Sequence, residues 1–94
     1  MYYEAHITME HVPDINNVKT YLASYAWHYS CISGDPDLGE HVFKYATKHF
    51  GGNWSMDDVK EAVNSMAGEL LTKGCSVVRR KIEMIVYDER TVTH

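Results

Sequence analysis

The sequence has few cysteines and prolines and no long apolar run. Its two cysteines, Cys31 and Cys75, are far apart and lack CxxC spacing, which argues against a disulfide framework or a redox motif. We therefore expect two reduced, mostly buried thiols in a cytoplasmic protein. No apolar run approaches the roughly 20 residues that a membrane-spanning helix needs, and the polar N-terminus does not fit a signal peptide.

The chain also lacks an excess of basic residues, since its formal net charge is −4. Nucleic acid is therefore not the expected partner, and any site for an anion must be a local basic patch. The six histidines show no HxH, HExxH or His-Cys spacing, so we expect no metal site and no cofactor. The length of 94 residues, of which 45% are hydrophobic, predicts a single domain over 1–94 with 88–94 as a flexible tail.

Alternation and helical spacing along the chain predict the element order β-α-β-β-α-β. Helix starts are marked by Asp14 and by Ser55 with Asp58, and Gly74 is the expected end of the second helix. The predicted segments are strands at 2–10, 26–33, 40–50 and 75–88, helices at 14–24 and 55–74, and a turn at 34–39. This order predicts an α+β ferredoxin-like sandwich, a four-stranded antiparallel sheet in the order 4-1-3-2 with both helices on one face.

The first strand divides its residues between two faces, because successive side chains of a strand point to opposite sides. The core face carries Tyr3, Ala5, Ile7 and Met9, and the opposite face carries Glu4, His6, Thr8 and Glu10. We call the sheet face away from the helices the open face, and expect it to carry the functional groups.

The third strand can adopt either of two phases. Turning Phe43 and Tyr45 outward would drive Lys44 and Lys48 into the core, and burying an unpaired ammonium group costs several kcal/mol. We therefore predict that Lys44, Ala46 and Lys48 lie on the open face, with Phe43 and Tyr45 on the core face.

The two outer strands add further polar groups to the open face. The fourth strand contributes Arg79, Lys81 and Glu83. The second contributes His28 and Ser30 if Trp27, Tyr29 and Cys31 point inward. Four cations on one face of an acidic protein, Lys44, Lys48, Arg79 and Lys81, indicate an anionic ligand such as a phosphate. The alternative is cross-strand salt bridging of these cations with Glu4, Glu10 and Glu83.

His6 and Thr8 lie two residues apart, so their side chains leave one face about 7 Å apart along the strand. An imidazole can transfer a proton while a neighbouring hydroxyl holds a phosphate oxygen. The segment HITM resembles the H-x-T/S-hydrophobic motif of the two-histidine phosphoesterase superfamily, whose members carry one such motif in each of two α+β lobes. The resemblance implies His6 and Thr8 as catalytic residues that act on cyclic or linear phosphodiesters.

This chain is only one lobe long, and the expected second motif is missing. The segment HYSC at 28–31 has suitable letters, but it falls on the predicted edge strand with the third strand between it and His6. Two protomers that face each other across their open sheets could supply the second histidine in an isologous dimer.

A longer pattern, YYEAHITME at 2–10 with Lys44-Tyr45 and RRKIE at 79–83, resembles a family of small bacterial and phage proteins. The resemblance implies a cytoplasmic protein, in the host cytoplasm if phage-encoded, and one version of its role is to sequester a signalling nucleotide.

The sequence thus predicts a protein that binds a phosphorylated small molecule, with a nucleotide as the expected ligand, and forms a homodimer or a higher homo-oligomer. The expected ligand-binding residues are Glu4, Lys44, Lys48, Arg79, Lys81 and Glu83. Two alternatives stay open: a phosphodiesterase with His6 as acid or base, and an oligomer subunit with no ligand.

Overall fold

The computed structural model describes residues 2–33 and 42–86. Four strands and two helices follow one another in the predicted order. They are β1 (Tyr2–Met9), α1 (Ile15–Ser24), β2 (His28–Ser33), β3 (Val42–Phe50), α2 (Met56–Thr72) and β4 (Val77–Ile85). The predicted turn at 34–39 and the predicted tail at 88–94 lie outside the described residues.

The four strands form one sheet in the order β2-β3-β1-β4, and every neighbouring pair is antiparallel. The fully buried β1 residues Ala5, Ile7 and Met9 share one core cluster with residues of both helices, which places both helices on that face. The predicted ferredoxin-like α+β fold is confirmed, and β1 is central.

The predicted helix boundaries are confirmed by their capping contacts. The carboxylate of Asp14 accepts a hydrogen bond from the backbone N–H of Asn17 at 3.1 Å, and the Ser55 hydroxyl accepts one from that of Asp58, also at 3.1 Å. Each contact satisfies an N–H group that has no partner within its helix.

At the other end of α2 the chain leaves the helix through Gly74. Its φ of +86° is a conformation that only glycine adopts without strain. The N–H of Gly74 donates to the Leu71 carbonyl and that of Cys75 to the Leu70 carbonyl, each at 3.0 Å, the pair of bonds that defines a Schellman motif. A Cβ at position 74 would also meet Cγ of Pro13 at 3.2 Å. This turn sends the chain from α2 into β4.

The second strand begins two residues later than predicted. Ala26 has a φ of +64°, and the N–H groups of Ala26 and Trp27 donate to the carbonyls of Ala23 and Leu22. Ala26 and Trp27 therefore continue the turn that ends α1. Buried Trp27 is 4% exposed and precedes the strand. Among the described residues, no helix is long and apolar enough to cross a membrane.

The expectation of two mostly buried thiols is half wrong. Both cysteines are free, but Cys31 is exposed and Cys75 is buried, because Cys31 lies on the outer strand β2, where the helices leave its side chain uncovered.

This difference predicts that a thiol reagent at mildly alkaline pH will label Cys31 quickly and Cys75 slowly in the folded protein. Burial raises the pKa of the Cys75 thiol, so less of the reactive thiolate forms there. Mass spectrometry should show one rapid label in the native protein and two after denaturation. Equal labelling rates in the native protein would contradict the buried position of Cys75.

Candidate functional site

The open face is defined by the residues of β1 that point away from the helices. Ala5, Ile7 and Met9 are buried in the core, so the alternating positions Glu4, His6 and Thr8 lie on the opposite side. The predicted division of β1 is confirmed, and these three side chains occupy the middle of the sheet.

β4 extends the open face in the predicted way. Its residues Arg79, Lys81 and Glu83 lie opposite Thr8, His6 and Glu4 respectively, and directly opposed residues of antiparallel strands share a face. The two cations therefore lie next to the histidine and the threonine, and the two carboxylates lie side by side.

The predicted phase of β3 is wrong. His6 lies opposite Thr47, whereas Ala5 and Met9 lie opposite Lys48 and Lys44. The hydroxyl of Thr47 is 3.0 Å from Nδ1 of His6, which fixes Thr47 on the open face. Lys44 and Lys48 therefore belong to the face that carries the helices, and they are not part of the candidate site.

The predicted cost of burying these lysines does not arise, because both long side chains carry their ammonium groups to the edge of the core. Nζ of Lys48 donates to the backbone carbonyl of Tyr25 at 3.0 Å and lies 5.2 Å from the centre of the Phe50 ring. Nζ of Lys44 donates to the backbone carbonyl of Glu10, also at 3.0 Å.

The same shift brings aromatic residues to the open face. Tyr45 lies opposite Thr8, and Phe43 shares its face by alternation. Both were predicted to be buried among the helices. They are buried, at 7% and 6% exposure, but on the other side of the sheet.

His6 is held by three neighbours on the open face. Its Nδ1 contacts the Thr47 hydroxyl, and its Nε2 lies 3.0 Å from a carboxylate oxygen of Glu4 and 3.3 Å from one of Glu83. In the neutral ring, this arrangement favours a proton on Nε2 donated to a carboxylate and a lone pair on Nδ1 that accepts from Thr47. The contacts thus orient the imidazole.

The carboxylates have further partners, one on the same strand and one across the sheet. Glu83 lies 3.5 Å from Nζ of Lys81, and Glu4 lies 3.6 Å from His49. With Lys44 and Lys48 on the other face, Arg79 and Lys81 are balanced by Glu4 and Glu83. The open face has a cationic end at Arg79 and an acidic end at Glu4 and Glu83, with no large excess of either sign.

Thr8 is a buried polar residue of this face. Its side chain is fully buried at 0% exposure, and its hydroxyl has no hydrogen-bond partner among the described residues. An unsatisfied buried polar group costs about 1–3 kcal/mol, and such groups are rare in native structures. The register places Tyr45 and Arg79 on either side of it.

The second histidine segment lies where the sequence predicted, on the edge strand β2 with β3 between it and β1. His28 and Ser30 of β2 lie opposite Thr47 and Tyr45, so they share the open face as predicted. β1 and β2 run in the same direction, because both are antiparallel to β3. His28 and His6 therefore occupy one row on either side of Thr47, two strand spacings or about 10 Å apart, with Ser30 and Thr8 in the next row.

Sequence reasoning missed Thr47 and placed Tyr45 on the wrong face. One signal was present: the phase that buries Ala46 between the helices also aligns Thr47 with His6.

A cleft of about 360 Å³ opens on the opposite, helix-bearing side, where its lining includes Tyr21, Trp27, Lys48 and Glu69. The candidate site is thus a surface on the sheet and is separate from that cleft.

Within residues 2–33 and 42–86, no group of three or more His, Cys, Asp or Glu side chains could hold a metal ion. Comparison of the chain with protein-family models, with curated proteins and with solved structures found no match.

Proposed function

We propose that the open face binds a phosphorylated small molecule, of which a nucleotide fits best, around His6 and Thr8. The observation that supports this most strongly is the buried hydroxyl of Thr8, which lacks a partner among the described residues and lies opposite Arg79. A phosphate oxygen that enters here can accept from the hydroxyl and pair with the guanidinium group. Binding requires the side chains around Thr8 to move, because its hydroxyl is fully buried.

The number of cations suits a small anionic group. Arg79 and Lys81 occupy neighbouring rows of the open face, and together they can neutralise one phosphate or phosphodiester. Lys44 and Lys48, which would have favoured a polyphosphate, lie on the other face.

The acidic end of the face favours a ligand that also carries hydrogen-bond donors. Glu4 is four residues from Thr8 along β1, a distance of about 13 Å, which is comparable to the length of a nucleoside monophosphate. Its carboxylate and that of Glu83 can accept from ribose hydroxyls or from the amino group of a base. A ligand with phosphate at one end and such donors at the other matches the polarity of this surface.

A phosphodiesterase is the alternative, and the His6 contacts favour it specifically. A hydroxyl, an imidazole and a carboxylate in hydrogen-bonding sequence orient a base for proton transfer. Here Thr47, His6 and Glu4 make that sequence, at 3.0 Å for each contact. His28 in the same row could serve as the second histidine that the resemblance to the two-histidine phosphoesterases implies. The remaining candidate function is that of an oligomer subunit that binds no ligand.

The test is a panel of linear and cyclic nucleotides, examined by calorimetry and by chromatography of the recovered ligand. Arg79→Ala should weaken binding by about 1.5–3 kcal/mol, the usual loss of a charge-assisted hydrogen bond. Arg80→Ala is the matched control: it removes the same charge from the same strand, but Arg80 lies opposite Ile7 on the other face. The affinity of Arg80→Ala for the nucleotide should match that of the wild type.

Recovery of intact ligand supports binding, and conversion that is lost in His6→Ala supports the phosphodiesterase. If no nucleotide binds, or if Arg79→Ala and Arg80→Ala weaken binding equally, the open face is not the site.

A further inference from the structure

The outer edge of β4 is the longest strand edge that no described strand covers. β4 pairs with β1 along one side, and in the part of the chain that the structure describes no strand lies along its other side. The strand is nine residues long. The unpaired N–H and C=O groups of such an edge can pair with another strand.

Three charged residues in a row, Arg79, Arg80 and Lys81, and a bulge at Val78 restrict which strands can pair with this edge, and exposed apolar residues flank them. Val78 and Met84 are 46% and 55% exposed, and Val86, which directly follows the strand, is 61% exposed. Met84 lies opposite Tyr3 and Val86 alternates with it, so both belong to the helix-bearing side, whereas Val78 is the unpaired residue of a bulge between Val77 and Arg79. Exposed apolar side chains along an open edge are typical of a strand that pairs with a partner.

We infer that the partner is a second copy of this chain, whose β4 pairs antiparallel with the first around a twofold axis at Ile82. Two sheets then join into one continuous sheet, with both open faces on the same side. The interface is isologous, because each β4 contributes the same surface.

The charges of β4 select this register. With Ile82 opposite itself, Lys81 lies opposite the partner's Glu83 and Glu83 opposite the partner's Lys81, which gives two pairs of opposite charge on the open face. On the other side, Arg80 lies opposite the partner's Met84. Opposed residues in antiparallel strands interact most strongly when their charges are opposite or when both are apolar.

The neighbouring registers are worse. A shift by two residues in one direction places Lys81 opposite Lys81 between two pairs of Arg79 with Glu83, and the same shift in the other direction places Glu83 opposite Glu83. Each shift therefore brings like charges together, whereas the register at Ile82 brings none. The side chains of Lys81 and Glu83 are 44% and 40% exposed, which leaves both accessible to a second chain.

Reversing the charge of Lys81 or Glu83 tests the register. The mass of each variant in solution is measured by sedimentation across a range of protein concentrations. The wild type should sediment at twice the monomer mass at high concentration. Lys81→Glu and Glu83→Lys each replace two attractive pairs by two repulsive ones, so each should weaken self-association about tenfold or more. The double variant restores both pairs with reversed polarity and should recover the dimer.

A monomeric wild type at every concentration would overturn the inference, and so would a dimer whose association the single variants leave unchanged. Failure of the double variant to recover the dimer would overturn the proposed register. All three outcomes are read from mass alone, so they are distinct from the outcomes of the nucleotide panel.

A cysteine at the twofold axis provides an independent check on the register. Opposed residues have Cα atoms about 4.5–5.5 Å apart, within the range that a disulfide requires. Ile82→Cys in a Cys31→Ser background should form covalent dimers under mild oxidation. Lys81→Cys in the same background should not, since residue 81 faces residue 83. The reverse pattern would place the axis at Lys81 and contradict the inference.

Discussion

Phe50→Ala is expected to reduce the free energy of unfolding by about 3–5 kcal/mol, the usual loss for truncating a buried phenylalanine. Phe50 is the last residue of β3 and is fully buried. Its ring meets Trp27 edge-to-face at a centroid distance of 6.1 Å and an angle of 79°. It meets Trp54 at 4.9 Å and 78°. The substitution therefore opens a cavity and removes two aromatic contacts together.

Such a loss is a large part of the total free energy of unfolding, since small domains are stabilised by only about 5–15 kcal/mol. Urea denaturation followed by tryptophan fluorescence measures it directly, and Phe50→Leu is the graded control because it retains most of the buried volume. A loss below about 1 kcal/mol for Phe50→Ala would contradict the packing of β3 against the core.

The position of Phe50 also connects stability to the candidate site. Phe50 lies opposite Tyr3 in the pairing of β3 with β1, three residues beyond Thr47 along the same strand. The core contact of Phe50 thus holds the part of β3 that aligns Thr47 with His6, although the ring itself lies on the other face of the sheet.

The sequence was sufficient to predict the fold because each element carries a local signal. Apolar alternation marks β1, and the hydroxyl or carboxylate at each helix start becomes a cap whose contacts depend on residues only three positions away. The open-face positions of His6, Arg79 and Lys81 follow from alternation alone once the order of the strands is known.

The phase of β3 could not be predicted by the same reasoning. An inward-facing lysine does not bury its charge here, because its side chain is long enough to reach the backbone carbonyl of Tyr25 or Glu10 at the periphery. Those carbonyls belong to distant parts of the chain, so the cost of the inward phase was set by tertiary contacts. Thr47 was missed for this reason.

The burial of Thr8 was equally inaccessible to sequence reasoning. Alternation places the threonine on the open face, but its exposure depends on the neighbours that the register supplies, Tyr45 from β3 and Arg79 from β4. The same holds for the alignment of His28 with His6 about Thr47, which depends on two registers at once.

The hydroxyl of Thr8 leads to a prediction in which stability and binding change in opposite directions. Thr8→Val keeps the shape of the side chain and its preference for a strand, and it removes a buried polar group that has no partner among the described residues. The ligand-free protein should therefore gain about 1–3 kcal/mol of stability, the cost that such a group imposes. Affinity for the ligand should fall, because a phosphate oxygen loses its donor.

The matched control is Thr47→Val, the same substitution one strand away on the same face. The Thr47 hydroxyl contacts Nδ1 of His6 at 3.0 Å, so its removal should lower stability by about 0.5–1.5 kcal/mol, the net value of a typical hydrogen bond. Both variants are compared by thermal denaturation after unfolding and refolding have removed any bound ligand. A loss of stability in Thr8→Val would show that the hydroxyl is satisfied within the fold, and its role as the phosphate donor would then be wrong. Higher stability of Thr8→Val, together with weaker binding, is the combination expected of a polar group that is kept buried for a ligand. An unpaired hydroxyl does not stabilise the fold, so it would serve no purely structural purpose.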